Sequence, residues 1–203
     1  MAEPPAPPSP ADERFGLVVL DEVQHLAVRN GCVRTAQALR RVGCRTIGLL
    51  PASDKVSVVP IGIQLAVSLA ALSSTRIGII DANARAPLFG ATFQSRHDGD
   101  EYATRWLTTD VALVVPPRPD DGSAGVAQLR KTLRAALDRF GYLFVDLTGL
   151  QRYGDHIAAA NVLEGVIIVA VAGLTREAEL EILARDVPEA RQLGVLLIGG
   201  EDE

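Results

Sequence analysis

The sequence is poor in aromatic residues, basic runs and cysteines, and each scarcity narrows the classes of protein that fit it. Only 4% of the 203 residues are aromatic, so the core must be built from aliphatic side chains. The net charge is −5 and no basic run exceeds Arg40-Arg41, which argues against nucleic acid as a partner. Cys32 and Cys44 lack metal-type spacing, which is typical of reduced thiols in a cytoplasmic protein.

Long apolar runs are also absent. No stretch reaches the roughly 18 to 20 apolar residues that a membrane-spanning helix needs, so we expect no membrane span. The amino terminus has neither the basic start nor the apolar segment of a secretory signal. Residues 1–13 hold five of the twelve prolines, which predicts a disordered tail ahead of a single domain over residues 14–203.

From residue 45 onward, wholly apolar strands alternate with helical segments. Strands that are apolar along their whole length are buried on both faces, so the pattern predicts an α/β fold with a doubly wound, mainly parallel sheet flanked by helices. The predicted strands are 45–50, 76–81, 111–115, 142–146, 165–171 and 194–198, and the predicted helices are 60–73, 126–140, 155–162 and 175–185.

Three segments are harder to assign. A helical stripe covers residues 21–42, and Asn30-Gly31 predicts a break into two helices there. A short helix is predicted around residues 101–107. The apolar run at residues 15–20 fits either a strand or the start of a helix.

The order of these pieces, and several short motifs, resemble the MinD/ParA-type P-loop ATPases. IGIIDANARAP (77–87) resembles their second aspartate motif, with Asp81, Arg85 and Pro87 in place, and YLFVDLTGL (142–150) resembles the Walker B strand, with Asp146 as its carboxylate. Within the superfamily the chain is most similar to the cytoplasmic domain of bacterial tyrosine kinases of polysaccharide export. The resemblance covers roughly residues 33–199 and implies a P-loop NTPase-like fold.

The phosphate-binding loop of that superfamily is where the sequence departs from the resemblance. The helix motif QLAVSLAAL (64–72) aligns the Gly-any-Gly-Lys-Ser/Thr-Thr run with Lys55-Val56-Ser57-Val58-Val59-Pro60. Glycines allow the backbone amides to close on phosphates, and none is present here. The phosphate-binding lysine becomes Val58 and the magnesium-binding hydroxyl becomes Val59, while Pro60 removes an amide donor. We therefore expect the side chains of Val56 or Val58 to fill the phosphate volume.

Asp81 and Asp146 are the two carboxylates of the candidate site. Both end predicted parallel strands, where ligands bind in α/β proteins. In one interpretation the two carboxylates bind a magnesium ion. In the other they cap the strand ends and hold the following loops. The altered phosphate loop favours the second interpretation. Lys55 fits either an anion contact or a solvated loop position.

Interface candidates lie on a helix and near a loop. Arg34, Arg40 and Arg41 belong to the helix that matches, in position, the self-association helix of the kinases, although only Arg34 survives of their Glu-Ala-Tyr-Arg motif. Arg85 fits a pair with Asp81 or a subunit contact. Tyr102 and Trp106 fit a docking loop, and Trp106 equally fits a plug in the core.

The sequence therefore predicts a non-catalytic MinD/ParA-like domain, a pseudo-ATPase or pseudokinase, that needs no cofactor. The resemblance implies a protein partner, either a related ATPase or kinase or the cytoplasmic tail of a membrane protein, and leaves homo-oligomers open. The first alternative is an ATPase or tyrosine kinase with an atypical phosphate loop, which uses ATP and magnesium through Asp81 and Asp146. The second is a positioning factor that dimerises when it binds nucleotide.

Overall fold

The computed structural model describes residues 22–83, 102–116 and 125–199, and side chains throughout these ranges except for residues 22–27 and Tyr153. The predicted tail at 1–13, the apolar run at 15–20 and Arg85 lie outside these residues. Over the described part, no helix is both long and apolar enough to cross a membrane.

Seven strands form one sheet in the order β3-β4-β2-β5-β1-β6-β7, and only β3 runs antiparallel to its neighbour. The strands are β1 (Thr46–Pro51), β2 (Ile77–Asp81), β3 (Ala103–Trp106), β4 (Val111–Val115), β5 (Tyr142–Asp146), β6 (Gly165–Val171) and β7 (Gln192–Ile198). The α-helices are α1 (Glu22–Val42), α2 (Val59–Ser73), α3 (Gly125–Ala136), α4 (Asp155–Val162) and α5 (Glu177–Asp186), with short 3-10 turns at Leu150–Tyr153 and Glu189–Arg191. The predicted doubly wound α/β fold is confirmed.

Alternate residues of the central strands supply two separate cores. In β1, Leu49 packs under α1 and α2, whereas Leu50 points to the opposite face, beneath α3, α4 and α5. Every residue of β1 is buried, because its neighbours β5 and β6 cover its edges and helices cover both faces. This two-sided burial explains why the strand is apolar throughout rather than alternating.

The helix over residues 22–42 does not break at Asn30-Gly31, so that prediction was wrong. Cys32, Ala36 and Leu39 form a buried stripe at helical spacing that packs on the core beside α2. Burial of this stripe outweighs the low helix propensity of glycine, which costs about 1 kcal/mol relative to alanine. Burial also raises the pKa of the Cys32 thiol to about 11, so this cysteine serves packing.

The short helix predicted around residues 101–107 is instead β3, an edge strand that pairs with β4. Trp106 ends the strand with its ring centroid 5.9 Å from that of Phe140, and the guanidinium of Arg76 lies 5.3 Å from the Trp106 centroid. The indole is still 39% exposed, so Trp106 covers the rim of the core rather than plugging it. Antiparallel pairing with the next strand, β4, across a connection of four residues decides the conformation here.

The packing of α2 gives a direct stability test. Leu65 is fully buried against both the sheet and α1, whereas Val67 on the same helix is 40% exposed. We expect Leu65→Ala to lower the free energy of unfolding by about 2–5 kcal/mol because it leaves a cavity. Val67→Ala, measured beside it by urea denaturation, should change the stability by less than about 1 kcal/mol. Equal losses in the two variants would contradict the assigned orientation of α2.

Candidate functional site

The loop from Ala52 to Val58 connects the central strand β1 to α2 at the carboxyl edge of the sheet. Its exposed residues are Asp54, Lys55 and Ser57. Its apolar side chains turn inward instead: Val56 is 3% exposed and Val58 is 0% exposed, and both belong to the core under α1 and α2. Both valines therefore pack into the core, and the expectation that one of them fills the phosphate volume stays a prediction.

Contacts from two directions hold this loop in place. The amide of Ala52 donates to the carbonyl of Val169 on β6 at 2.8 Å, and the amide of Val56 closes a turn on the carbonyl of Ser53 at 3.0 Å. From the 3-10 turn at Leu150–Tyr153, Gln151 Nε2 donates to the carbonyl of Pro51. The neighbouring Arg152 makes a forked contact with Asp54 Oδ2 at 2.9 and 3.1 Å, although both partners are more than half exposed.

The backbone of the loop does not form an anion-binding nest. Such a nest alternates right-handed and left-handed residues so that successive amides point at one anion. Among the described residues, positive φ angles occur at Ser74 and at six glycines, none of them between residues 52 and 58. The residue before α2, Val58, has a right-handed φ of −93°, and no side chain caps the helix there.

Asp81 and Asp146 lie side by side at the ends of adjacent parallel strands, where β2 and β5 pair them in register. Both are buried, with 3% and 2% of their surface exposed. Each carboxylate caps the turn that follows it: Asp81 Oδ1 accepts the amide of Asn83 at 2.9 Å, and Asp146 Oδ1 accepts the amide of Thr148 at 2.8 Å. The structure therefore brings the two predicted carboxylates together.

Asp146 keeps one carboxylate oxygen without a hydrogen-bond partner among the described atoms. Its Oδ1 also accepts the Thr148 hydroxyl at 2.5 Å, but its Oδ2 is buried and has no hydrogen-bond partner among the described atoms. Burial raises the pKa of Asp146, and the two hydrogen bonds from Thr148 offset this only in part. A buried oxygen without a partner costs about 1–3 kcal/mol, and a proton or a cation would relieve that cost.

A further hydrogen bond joins the turns that follow the two aspartates. Asn83 Nδ2 donates to the carbonyl of Thr148 at 3.4 Å. The next residue, Gly149, has φ +80°, and a Cβ at that position would come within 2.7 Å of Asn83 Nδ2. The glycine therefore permits both the left-handed turn and the close approach of the two loops.

The donor set fits a magnesium ion better than it fits a nucleotide. Paired carboxylates supply the oxygen ligands that magnesium prefers, and Asp146 Oδ2 is available as one of them. The described ranges contain no group of three or more His, Cys, Asp or Glu residues arranged to hold a metal ion. A triphosphate fits poorly, because Val58 and Val59 present buried methyl groups where it needs a cation and a hydroxyl.

The interface candidates lie on α1 and at the β3 end of the sheet. Arg34, Arg40 and Arg41 are exposed on α1, and Arg40 donates to the carbonyl of Leu72 at 2.8 Å, which ties α1 to α2. Tyr102 is half-buried against the core beneath α3, and Trp106 lies on β3 at one end of the sheet. The candidate Arg85 lies outside the described residues.

Several residues of the site were not predicted. Thr148 and Asn83 follow their aspartates by two positions, and that spacing is the signature of a local aspartate turn that could have found them. Ser53, whose hydroxyl is buried without a partner among the described atoms, carries no such signal. Neither do Gln151 and Arg152, because their partners are about a hundred positions away.

No protein-family model matches the chain, and no curated protein matches it. Among solved structures it resembles the BceF tyrosine kinase domain (TM-score 0.63, 19% identity, covering 84% of this chain and 75% of that one). It also resembles the VpsO kinase domain (TM-score 0.64, 17% identity, covering 89% of this chain and 98% of that one). A third similar structure is a ParA family ATPase from Chlorobium tepidum (TM-score 0.51, 14% identity, covering 75% of this chain and 73% of that one).

These likenesses establish the fold class. The chain has the fold of the MinD/ParA-type P-loop NTPases, as its motifs predicted. The identities are below 20%, so they carry the fold and not an activity. Within that fold, the structures it resembles include bacterial tyrosine kinase domains as well as ParA-type ATPases.

The raised pKa of Asp146 predicts that the free energy of unfolding decreases as the pH rises. The folded protein keeps this proton to a higher pH than the unfolded chain, in which aspartates titrate near about pH 4. The contribution of Asp146 to the free energy of unfolding is therefore complete below about pH 4 and falls as the pH rises through the folded pKa. Asp146→Asn cannot ionise and keeps an oxygen for Thr148, so it should be more stable than the unmodified protein at pH 8.

Urea denaturation at about pH 4.5, near the ordinary aspartate pKa, and at about pH 8, well above it, measures this difference in stability. The advantage of Asp146→Asn should shrink at the lower pH, and Asp138→Asn, at an exposed position, should show no such trend. A stability difference for Asp146→Asn that is the same at both pH values would contradict the assigned proton.

The packed loop predicts that the lysine of an ordinary phosphate loop is not tolerated here. Val58→Lys places an ammonium group at a position that is 0% exposed, so the free energy of unfolding should fall by roughly 3 kcal/mol or more. Ser57→Lys, one residue away and exposed, is the matched control and should be nearly neutral. Circular dichroism during thermal unfolding measures both. A stable Val58→Lys protein would show that the loop opens readily.

Proposed function

We propose that this chain is a non-catalytic member of the MinD/ParA-like fold, a pseudo-ATPase or pseudokinase that works by binding another protein. Its partner is a related active ATPase or kinase, or the cytoplasmic tail of a membrane protein, and its setting is polysaccharide export or the spatial organisation of the cell. This places the protein in the cytoplasm, and at the membrane only through that partner.

One observation carries the proposal: the three valines of the segment aligned with the phosphate loop belong to the hydrophobic core. Val58 takes the position of the phosphate-binding lysine and is fully buried, and residues 52–58 contain no left-handed residue to turn amides toward an anion. Phosphoryl transfer depends almost entirely on positioning and neutralising the phosphates. A loop that offers neither has lost the larger part of that catalysis.

The proposed partner surface includes α1. Arg34 and Arg41 are exposed there, and Val42 beside them is 57% exposed. Exposed arginines next to an apolar side chain are typical of protein interfaces. The helix also matches, by position in the sequence, the self-association helix of the kinases that the chain resembles. This supports a contact with a related domain more than one with an unrelated protein.

A second function is favoured by one feature of the site, the buried Asp146 Oδ2 without a hydrogen-bond partner. In that alternative the chain is an ATPase or tyrosine kinase, and Asp81 and Asp146 hold magnesium, which would offset the charge of a bound phosphate. The residues of this chain would then have to bind the phosphates through a rebuilt loop with Lys55. The valine packing argues against this rebuilding.

Titration calorimetry with ATP and GTP, in the presence of magnesium and at high protein concentration, separates the two functions. We expect no saturable heat with either nucleotide, because Val58 stands at the aligned lysine position and residues 52–58 contain no left-handed residue to turn amides toward a phosphate. Asp146→Asn is the matched control and should give the same flat titration. Saturable, magnesium-dependent binding that Asp146→Asn removes would overturn the proposal in favour of the enzyme. Nucleotide-dependent dimers without turnover would favour a positioning factor instead.

A further inference from the structure

The strand β7 forms one end of the sheet and leaves one edge open. Within the described residues it pairs only with β6, on one side. An irregularity between Val166 and Ile167 places an extra residue in β7 at its start, and Gly194 has φ +127° there. From Gly194 to Ile198 the pairing with β6 is regular. The outer backbone groups of this stretch are therefore available to another strand.

Beyond the irregularity at its start, from Gly194 to Ile198, this edge lacks the features that usually prevent strands from pairing. The sequence of β7, QLGVLLI, contains no charged residue and no proline. The opposite edge of the sheet differs: β3 is only four residues long and carries Arg105, and its Trp106 lies under the guanidinium of Arg76. Short length and charge are the common protections of an edge strand, and β7 has neither.

The side chains of β7 continue a core face into solvent. Val195 and Leu197 pair in register with Ile168 and Ala170 of β6, which are 4% and 0% exposed and belong to the core beneath α3, α4 and α5. Val195 and Leu197 themselves are 52% and 60% exposed. Among the described residues, the same apolar layer is thus covered over β6 and uncovered over β7.

We propose that β7 is a self-association surface, and that its occupant is β7 of a second copy of this chain in antiparallel orientation. The open backbone edge selects an extended strand over a helix, because only a strand satisfies a row of amides and carbonyls. Pairing about a two-fold axis through Leu196 places Val195 beside the partner's Leu197, and the reverse. Each copy then covers the exposed apolar side chains of the other, and one sheet runs through both.

Charge at the strand ends favours a second copy and sets its direction. Arg191 immediately precedes β7, and the acidic sequence Glu201-Asp202-Glu203 follows it after two glycines. An antiparallel pair of identical strands brings the basic start of one copy toward the acidic end of the other. A parallel pair would bring like charges together at both ends. No charge lies inside the strand to oppose its own copy.

The test is the mass of the full-length protein in solution, measured without nucleotide by light scattering over a concentration series. We expect a concentration-dependent dimer. Val195→Lys and Leu197→Lys should each raise its dissociation constant at least about tenfold, because each places an ammonium group beside an apolar side chain of the partner strand. Ile157→Lys, at an exposed apolar position on α4 (41% exposed), is the matched control and should leave the dimer intact.

Hydrogen exchange of the β7 amides adds a second readout that does not depend on the variants. Exchange from Gly194 to Ile198 should slow as the protein concentration rises. A monomer at every concentration, with or without protected β7 amides, would overturn the proposal, as would a dimer that persists in both lysine variants. The result does not depend on the proposed function, because the measurement contains neither nucleotide nor a second protein.

Discussion

The complete burial of the central strand β1 is the constraint on which the rest of the structure depends. Leu49 and Leu50 point to opposite cores, so the strand can neither slide nor rotate without exposing one of them. Its carboxyl end is therefore fixed, and with it the start of the loop that leads into α2. Asp146 stands next to this point because β5 pairs with β1, and Asp81 stands one strand further along.

The two halves of the candidate site have opposite energetic characters. The loop half is mostly apolar packing: its valines lie in the core and its backbone is tied to β6 and to the turn at Leu150–Tyr153, although the Ser53 hydroxyl has no partner among the described atoms. The carboxylate half is polar, and Asp146 is buried there with one oxygen unpartnered among the described atoms. Thr148 and Asn83 use the aspartates as turn caps, which gives these acids a structural task that needs no ligand. In an ordinary NTPase site, the loop supplies a lysine and the strand ends supply carboxylates, so charged groups come from both halves.

The sequence predicted the parts of the structure that rest on apolar pattern. The alternation of buried strands and helices located six of the seven strands, and the aspartate motifs brought Asp81 and Asp146 together. The prediction failed where contacts outside a segment decide its conformation. β3 exists only because β4 lies beside it, and α1 stays whole only because Cys32, Ala36 and Leu39 face a core. The contacts of Gln151 and Arg152 with the loop span about a hundred positions and leave no local trace.

The buried valines of the loop also limit how a phosphate loop could be introduced into this chain. A phosphate loop needs its lysine, its glycines and its hydroxyl together, and each alone brings no binding. In this chain every such replacement at Val56, Val58 or Val59 would first remove packing from the core. Introducing a phosphate loop one substitution at a time would therefore lower the stability of the fold at each step before the full set of phosphate-binding groups is present.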